Sequence, residues 1–143
     1  MPKSRKLAKK KNNPRVVLDT NVLVAGLLNP DGPPGQILIA LGYRQILYSL
    51  ILLQEYKTVL HRTQFCFEAS IIADILEFVV SEGEYVEPQI HLDICKHKND
   101  NRFLECALFG YAGYLITGNL KDFPTPQYKH VKILSPRQFA DLL

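Results

Sequence analysis

The sequence predicts an α/β fold: three layers, α/β/α, with a central parallel sheet of four to five strands. Short apolar, β-branched runs alternate along its 143 residues with longer amphipathic segments. Such alternation is typical of a parallel sheet covered by helices on both faces. With 47% hydrophobic residues, the chain can bury the core of one domain of this size, and we expect a single domain over residues 15–143.

Cap and turn residues delimit the elements. A Pro/Gly-rich turn at 29–35 ends the first helix, and Ser49 is a good N-cap. Gly42 and Gly83 end later helices, and Ser135 caps the last one. The predicted strands are 16–18, 45–48, 84–87, 114–117 and 131–134; the predicted helices are 22–28, 36–41, 50–62, 68–81, 101–111 and a short segment from 136.

Basic residues are concentrated at the N-terminus. Residues 1–11 contain six of the 17 Lys and Arg residues and none of the 14 Asp and Glu residues, so the rest of the chain is net acidic. Such a run is typical of a solvated arm, and we predict that residues 1–14 form a disordered tail. This tail could also attract phosphates without reading their sequence.

The cysteines and the apolar runs predict the compartment. Three widely spaced cysteines do not form a disulfide framework, which favours a reducing compartment. The longest apolar run, residues 46–53, is far shorter than the roughly 20 residues of a membrane helix. We therefore expect a cytoplasmic protein with no membrane partner.

Several acidic side chains are placed where a parallel sheet carries its site. Asp19 and Asp122 follow predicted strands, and Asp100 opens a helix. In parallel sheets the ligand site lies beyond the carboxyl ends of the strands, so these carboxylates are expected on one edge. Each has a simpler explanation: Asp19 and Asp100 could be helix caps, and Asp122 a solvated loop residue.

Two glutamates lie on predicted helices. Glu55 shares a helical stripe with Leu52, Tyr56 and Val59, so it is on or beside the apolar face. There it either meets a partner in the interior or extends to the solvent. Glu105 is one position off the stripe of its helix and is expected at the rim or on the surface.

A group of carboxylates without a histidine or thiolate among them selects hard divalent cations, Mg²⁺ or Mn²⁺. The carboxylates would repel one another without such an ion. A cation at an acidic edge is a common arrangement for phosphodiester hydrolysis, because it activates water and offsets charge on the phosphate. Together, the acids predict a metal-dependent hydrolase.

Four motifs in order give the chain a family resemblance: "VVLDTNVLVAGLL", "LLQEYKTVL", "NDNRFLECAL" and "LITGNLKDF". They resemble PIN-domain ribonucleases, in particular the prokaryotic VapC-like branch of toxin components of toxin–antitoxin pairs. The resemblance covers about residues 16–143. It implies a parallel α/β/α sheet and Mg²⁺- or Mn²⁺-dependent cleavage of RNA.

The resemblance also assigns roles to individual residues. The catalytic acids would be Asp19, Glu55, Asp100 and Asp122, of which Asp19, Asp100 and Asp122 would hold the metal. Asn21, Thr117 and Asn119 would support the site. The partners implied are RNA, a protein antitoxin docking near the acidic groove, and a second copy of the chain, for which the exposed side of residues 71–80 is a candidate surface.

The chain departs from a frequent pattern of the family beside the third acid. Members of the family often carry acids where this chain has His97 and Asn99, and many have an aspartate where Asn119 stands, although the version with asparagine is itself common. The four principal acids are kept, but the surrounding negative charge is lower. This leaves an alternative open: a catalytically weak or inactive PIN fold that binds RNA or protein.

Two other chemistries are less well supported. His91, Asp93, Cys95 and His97 alternate and would face one side of a strand, as in a zinc site, but they lack the paired-turn spacing of structural zinc sites. A phosphotransfer domain with a nucleophilic aspartate typically has a second acid two residues further on, where this chain has Asn21. The metal-dependent ribonuclease is therefore the preferred hypothesis.

Overall fold

The computed structural model describes residues 14–40 and 45–143. The strands are β1 (Arg15–Leu18), β2 (Gln45–Tyr48), β3 (Glu84–Tyr85), β4 (Tyr114–Ile116), β5 (Gln127–Tyr128) and β6 (Val131–Leu134). The α-helices are α1 (Thr20–Leu28), α2 (Pro33–Ala40), α3 (Leu50–Leu60), α4 (Ala69–Glu82), α5 (Asp100–Phe109) and α6 (Pro136–Ala140). The predicted tail, apart from Pro14, and the predicted helix end at Gly42 lie outside the described residues.

The strands form one mostly parallel sheet in the order β3-β2-β1-β4-β6-β5. Only the pair β5–β6 is antiparallel. This confirms the predicted α/β class, but the described sheet has six strands and not four to five. The additional strand is β5, whose two residues are too few to show an apolar period.

The helices begin close to the expected cap residues, with one informative difference. Ser49 caps α3 by accepting a hydrogen bond from Leu52 N, and Ser135 with Gln138 forms a capping box on α6. In contrast, α2 begins at Pro33, within the segment predicted as a turn. Prolines are well tolerated in a first helical turn, because the N–H groups there have no partner within the helix. No helix in the described ranges is long and apolar enough to cross a membrane.

The strand order reverses between β1 and β4. From β1 the chain continues to β2 and β3 on one side, whereas β4 and β6 lie on the other. β1 and β4 are parallel neighbours, with Leu18 opposite Ile116. Their carboxyl ends are therefore at a topological switch point, where open α/β sheets place their ligand sites.

The core fixes the helices against this edge. The central strands are almost fully buried, and α5 packs against β1, β2 and β4. Tyr56 of α3 is fully buried, and its hydroxyl donates a 2.5 Å hydrogen bond to the carbonyl of Leu18. This bond fixes α3 to the end of β1, immediately before Asp19.

The opposite edge of the sheet is held by a polar cluster. Arg15 makes two 3.0 Å hydrogen bonds to the carboxylate of Glu84 and one of 2.6 Å to the carbonyl of Gly110. Gln45 also donates to Glu84 at 2.7 Å. The cluster therefore joins the amino ends of β1, β2 and β3 to the end of α5.

Candidate active site

Asp19 is held in place at the switch point by two side chains. Its carboxylate oxygen Oδ2 accepts hydrogen bonds from Thr117 Oγ1 at 2.8 Å and from Asn21 Nδ2 at 3.1 Å. The residue is only 7% exposed, and its side chain makes no capping hydrogen bond to α1. Helix capping alone therefore does not explain why an aspartate occupies this position.

Asn21 and Thr117 link the ends of β1 and β4. The Oδ1 atom of Asn21 accepts a 2.8 Å hydrogen bond from Gly118 N, so its amide bridges Asp19 and the loop after β4. A Cβ atom at Gly118 would lie 3.1 Å from that oxygen, which explains a glycine here. Asn119 contributes its backbone, whose N–H donates to Thr117 Oγ1 at 3.0 Å, while the residue itself is exposed.

Asp100 is the first residue of α5 and carries an unpartnered oxygen. Its Oδ2 is buried and forms no hydrogen bond within the described residues. Burial raises the pKa of Asp100 to about 6, and the negative charges of Asp19, Asp122 and Glu55 add to the shift. His97 opposes it. A half-buried carboxylate in such surroundings favours either a proton or a cation.

The other acids act on the same region. Burial raises the pKa of Asp19, hydrogen bonds from Thr117 and Asn21 oppose the shift, and the charge of Glu55 adds to it. Glu55 is half-buried on α3 beside Tyr56. Asp122 lies in a 3₁₀ turn, Leu120–Asp122, with 27% of its side chain exposed. The four predicted acids therefore share one electrostatic environment.

The acids share this environment without forming a closed ligand cluster. Among the residues that the structure describes, no group of three or more His, Cys, Asp and Glu side chains is arranged to hold a metal ion. Because carboxylates repel one another, an ion would have to draw the side chains together.

His97 and Asn99 lie just before Asp100, beside the site. The Nε2 atom of His97 lies 3.6 Å from Asp122 Oδ1, and the imidazole is 61% exposed. Asn99 is exposed at the N-cap of α5, and its side chain makes no capping bond. The side chain at position 97 therefore places an imidazole next to the fourth acid.

Two polar residues of α5 organise the loop that leads to Asp100. Asn101 is fully buried; its Oδ1 accepts hydrogen bonds from the backbone N–H groups of Ile94 at 2.9 Å and Cys95 at 3.0 Å, and its amide donates to the Lys98 carbonyl at 3.1 Å. Asn101 was not among the predicted site residues, because nothing local distinguishes it from an ordinary asparagine in a first turn.

The prediction for Glu105 was wrong. It is 6% exposed and not a rim residue, because the loop after β3 folds over this face of α5. Its Oε2 accepts a 2.8 Å hydrogen bond from Leu92 N and lies 3.4 Å from Arg102 Nη1. Glu105 thus anchors the start of the loop that Asn101 anchors further along.

The structure does not support the alternative of a zinc site at residues 91–97. Residues 91–97 form a loop and not a strand, so His91, Asp93, Cys95 and His97 do not alternate about a common face. His91 instead contacts Arg102 at 3.1 Å.

The pKa of Asp100 predicts a pH-dependent effect on stability. We expect Asp100→Asn to raise the free energy of unfolding of the metal-free protein by about 1 kcal/mol at pH 8 and to leave it unchanged near pH 4, after allowance for solvent screening. The pKa rises from 3.8 to about 6 on folding, so the folded chain binds this proton more tightly. The stabilisation of the folded state by this proton is complete below pH 4 and is lost as the pH rises through 6.

Urea unfolding with a chelator at pH 4, 6 and 8 measures this effect. Asp74→Asn, on the exposed surface of α4, is the matched control and should show no pH-dependent difference. An equal change at all three pH values for Asp100→Asn would contradict the raised pKa.

Comparison with known proteins places this geometry in a family. Residues 15–121 match the family model described as PIN domain. The chain is also similar to the uncharacterized protein MJ1680 of Methanocaldococcus jannaschii, with 28% identity over 141 residues that cover 89% of this chain and 90% of that protein. The family match spans the residues from β1 to the 3₁₀ turn, and so includes all of the predicted site residues except Asp122.

Proposed function

The chain belongs to the PIN domain family, and from this premise we propose that it is a metal-dependent endoribonuclease. PIN domains are generally nucleases, so the fold is of a nuclease type. The observation that carries the finer proposal is the electrostatic coupling of Asp100 to Asp19, Asp122 and Glu55. These acids surround the end of β1 and the start of α5, where a phosphodiester can approach from solvent.

The residues present fit a hard divalent cation. All of the donors are carboxylate oxygens, which are the ligands that Mg²⁺ and Mn²⁺ prefer. The buried Oδ2 of Asp100 has no other partner in the described chain. We infer that Asp19, Asp100 and Asp122 hold the ion, which when bound supplies a Lewis acid that lowers the pKa of water and offsets charge on the phosphate.

The side chains around the site have separate roles in this proposal. Thr117 and Asn21 both donate to Oδ2 of Asp19 and so fix the orientation of the carboxylate that would hold the ion. The side chain of Glu55 forms no hydrogen bond with another residue of the ranges 14–40 and 45–143, and in this proposal it orients the attacking water and accepts its proton. The hydrogen bond between Tyr56 and Leu18 keeps α3, and therefore Glu55, next to the end of β1.

Cleavage of a mixed RNA pool tests this function. We expect purified protein to cut single-stranded RNA with Mg²⁺ or Mn²⁺, and a chelator to stop the reaction. The products should have new ends inside the chain, because an endonuclease does not need a free terminus. Protein that binds the pool but leaves it intact with both metals would contradict the proposal.

We further propose that the nuclease is the toxin of a toxin–antitoxin pair. The support is the motif resemblance to VapC-like toxins, which also suggests an antitoxin segment that docks near the acidic groove. A homodimer is part of the same proposal; Ile71 and Val80, on α4, are 41% and 46% exposed and offer apolar surface for it. Growth arrest on induced expression of the wild-type chain, but not of Asp19→Asn, is the expected outcome in cells.

A binding module is the second candidate. His97 and Asn99 favour it, because the motif resemblance leads one to expect acids at these two positions and this chain has none there. In that case RNA binding should be the same with metal and with chelator, and the RNA pool should stay uncut.

A further inference from the structure

An open concavity of about 280 Å³ lies beside Asp122, one of the four predicted acids. Its walls include Asp122 of the 3₁₀ turn together with Lys96, Lys121, Ile94 and Phe123. A larger concavity of about 410 Å³ shares the wall at Phe123 and contains no acidic side chain. The smaller concavity therefore combines one predicted catalytic acid with two lysines.

The two lysines come from different segments that are both fixed. Lys96 follows Cys95, whose N–H is bound by the buried Asn101. Lys121 precedes Asp122, whose N–H donates to the Asn119 carbonyl at 3.0 Å. Both lysines are exposed, and neither forms an ion pair with another described residue. Their ammonium groups are thus available to a ligand from outside the chain.

The charges around the concavity favour an anion once the site is loaded. Under the proposed function, the cation would neutralise the charge of Asp122. Asp93, also on the wall, is then the one acid of this lining that still opposes the binding of an anion. His97 and Asn99, which are close in sequence to Lys96, add no negative charge. Two lysines against one exposed aspartate leave a positive balance, and Ile94, which is 38% exposed, adds an apolar surface.

We propose that Lys96 and Lys121 form a phosphate subsite for a nucleotide that flanks the scissile bond of single-stranded RNA. The subsite rests on the proposed function, because it holds the strand that the acids cut. Its ligand is a backbone phosphate, with the adjacent sugar or base against Ile94. Recognition of this kind is independent of sequence and weakens with salt.

Binding of a short fluorescent RNA with uncleavable phosphorothioate linkages, measured by anisotropy in Mg²⁺ at several salt concentrations, tests the subsite. We expect the double variant Lys96→Ala/Lys121→Ala to bind about tenfold more weakly, and the slope of log affinity against log salt to fall by about 0.7, the value for one phosphate on a single strand. The double Lys→Arg variant should retain binding, because it keeps both charges.

Lys129→Ala is the matched control. Lys129 lies between β5 and β6, at the amino end of β6, and its ammonium group is 5.8 Å from the centre of the Tyr128 ring. Lys129 is therefore at the amino end of its strand, whereas the acids lie near the carboxyl ends of the strands. We expect RNA binding to be unchanged in this variant.

The outcomes separate the subsite from the nuclease. Wild-type affinity in the double alanine variant, or an equal loss in Lys129→Ala, would overturn the subsite even if the enzyme cuts RNA. Weakened binding in the double variant of a protein that never cuts RNA would support the subsite and contradict the nuclease. Unchanged RNA binding together with lost binding of a polyglutamate probe would assign the lysines to an acidic protein segment and overturn the proposal.

Discussion

Asp19→Asn is expected to lower the rate of RNA cleavage by about 10³-fold or more without unfolding the protein. A catalytic cation contributes several kcal/mol to the transition state, and each 1.36 kcal/mol is a factor of ten in rate. Asparagine keeps an acceptor oxygen for Thr117 and Asn21. It also replaces a buried carboxyl group, whose pKa is raised by burial, with a neutral amide. We therefore expect no loss in the free energy of unfolding.

Cleavage rates at saturating Mn²⁺ and urea unfolding curves measure the two parts of this prediction. Asp74→Asn removes an equivalent charge from the exposed surface of α4 and should cut RNA as the wild type does. An Asp19→Asn protein that keeps more than a tenth of the wild-type rate would exclude Asp19 as a principal metal ligand.

Asn101→Ala is expected to reduce the free energy of unfolding by about 3 kcal/mol and to abolish cleavage. The substitution removes the acceptor that the fully buried Asn101 provides for the N–H groups of Ile94 and Cys95. A buried polar group that loses its partner costs about 1–3 kcal/mol, and two are affected. The freed loop carries Lys96 and His97 and leads into Asp100.

Asn99→Ala is the control for this prediction, since Asn99 is exposed two residues away and makes no capping bond. Urea unfolding and RNA cleavage are measured on both variants. If Asn101→Ala loses less than 1 kcal/mol in the free energy of unfolding, or cleaves RNA at the wild-type rate, the loop does not depend on Asn101.

The position of Asp19 could be predicted because local signals and topology agree. A short apolar strand precedes it, polar cap residues follow it, and the strand–helix alternation places strand ends on one edge. The same reasoning located Asp122 after β4. The contacts of Thr117 with Asp19 and of Gly118 with Asn21, in contrast, join segments about 100 residues apart and required the structure.

The residues that were missed or misjudged depend on a segment without periodicity. Between β3 and α5 the chain has no regular element, so the sequence contains no signal for its path. That path covers Glu105, which helical periodicity alone places beside the apolar stripe and near solvent. It also makes Asn101 an interior residue, because the two backbone N–H groups it satisfies belong to this loop.

The side chains around position 97 have a structural consequence that composition alone does not predict. The imidazole of His97 lies against Asp122, and Lys96 and Lys121 line the concavity next to it. Basic and acidic side chains are therefore neighbours at this edge of the sheet. A cationic surface of this kind suits an RNA backbone and is compatible with the proposed nuclease.

The central claim is that Asp19 and its neighbours hold a catalytic divalent cation. The most direct test is a titration with Mn²⁺ in which electron paramagnetic resonance measures free ion in the presence of wild-type protein or Asp19→Asn. We predict that each wild-type chain removes Mn²⁺ from solution at a site with millimolar affinity or better, and that the variant does not. Equal binding by the two proteins, or no binding by either, would contradict the account.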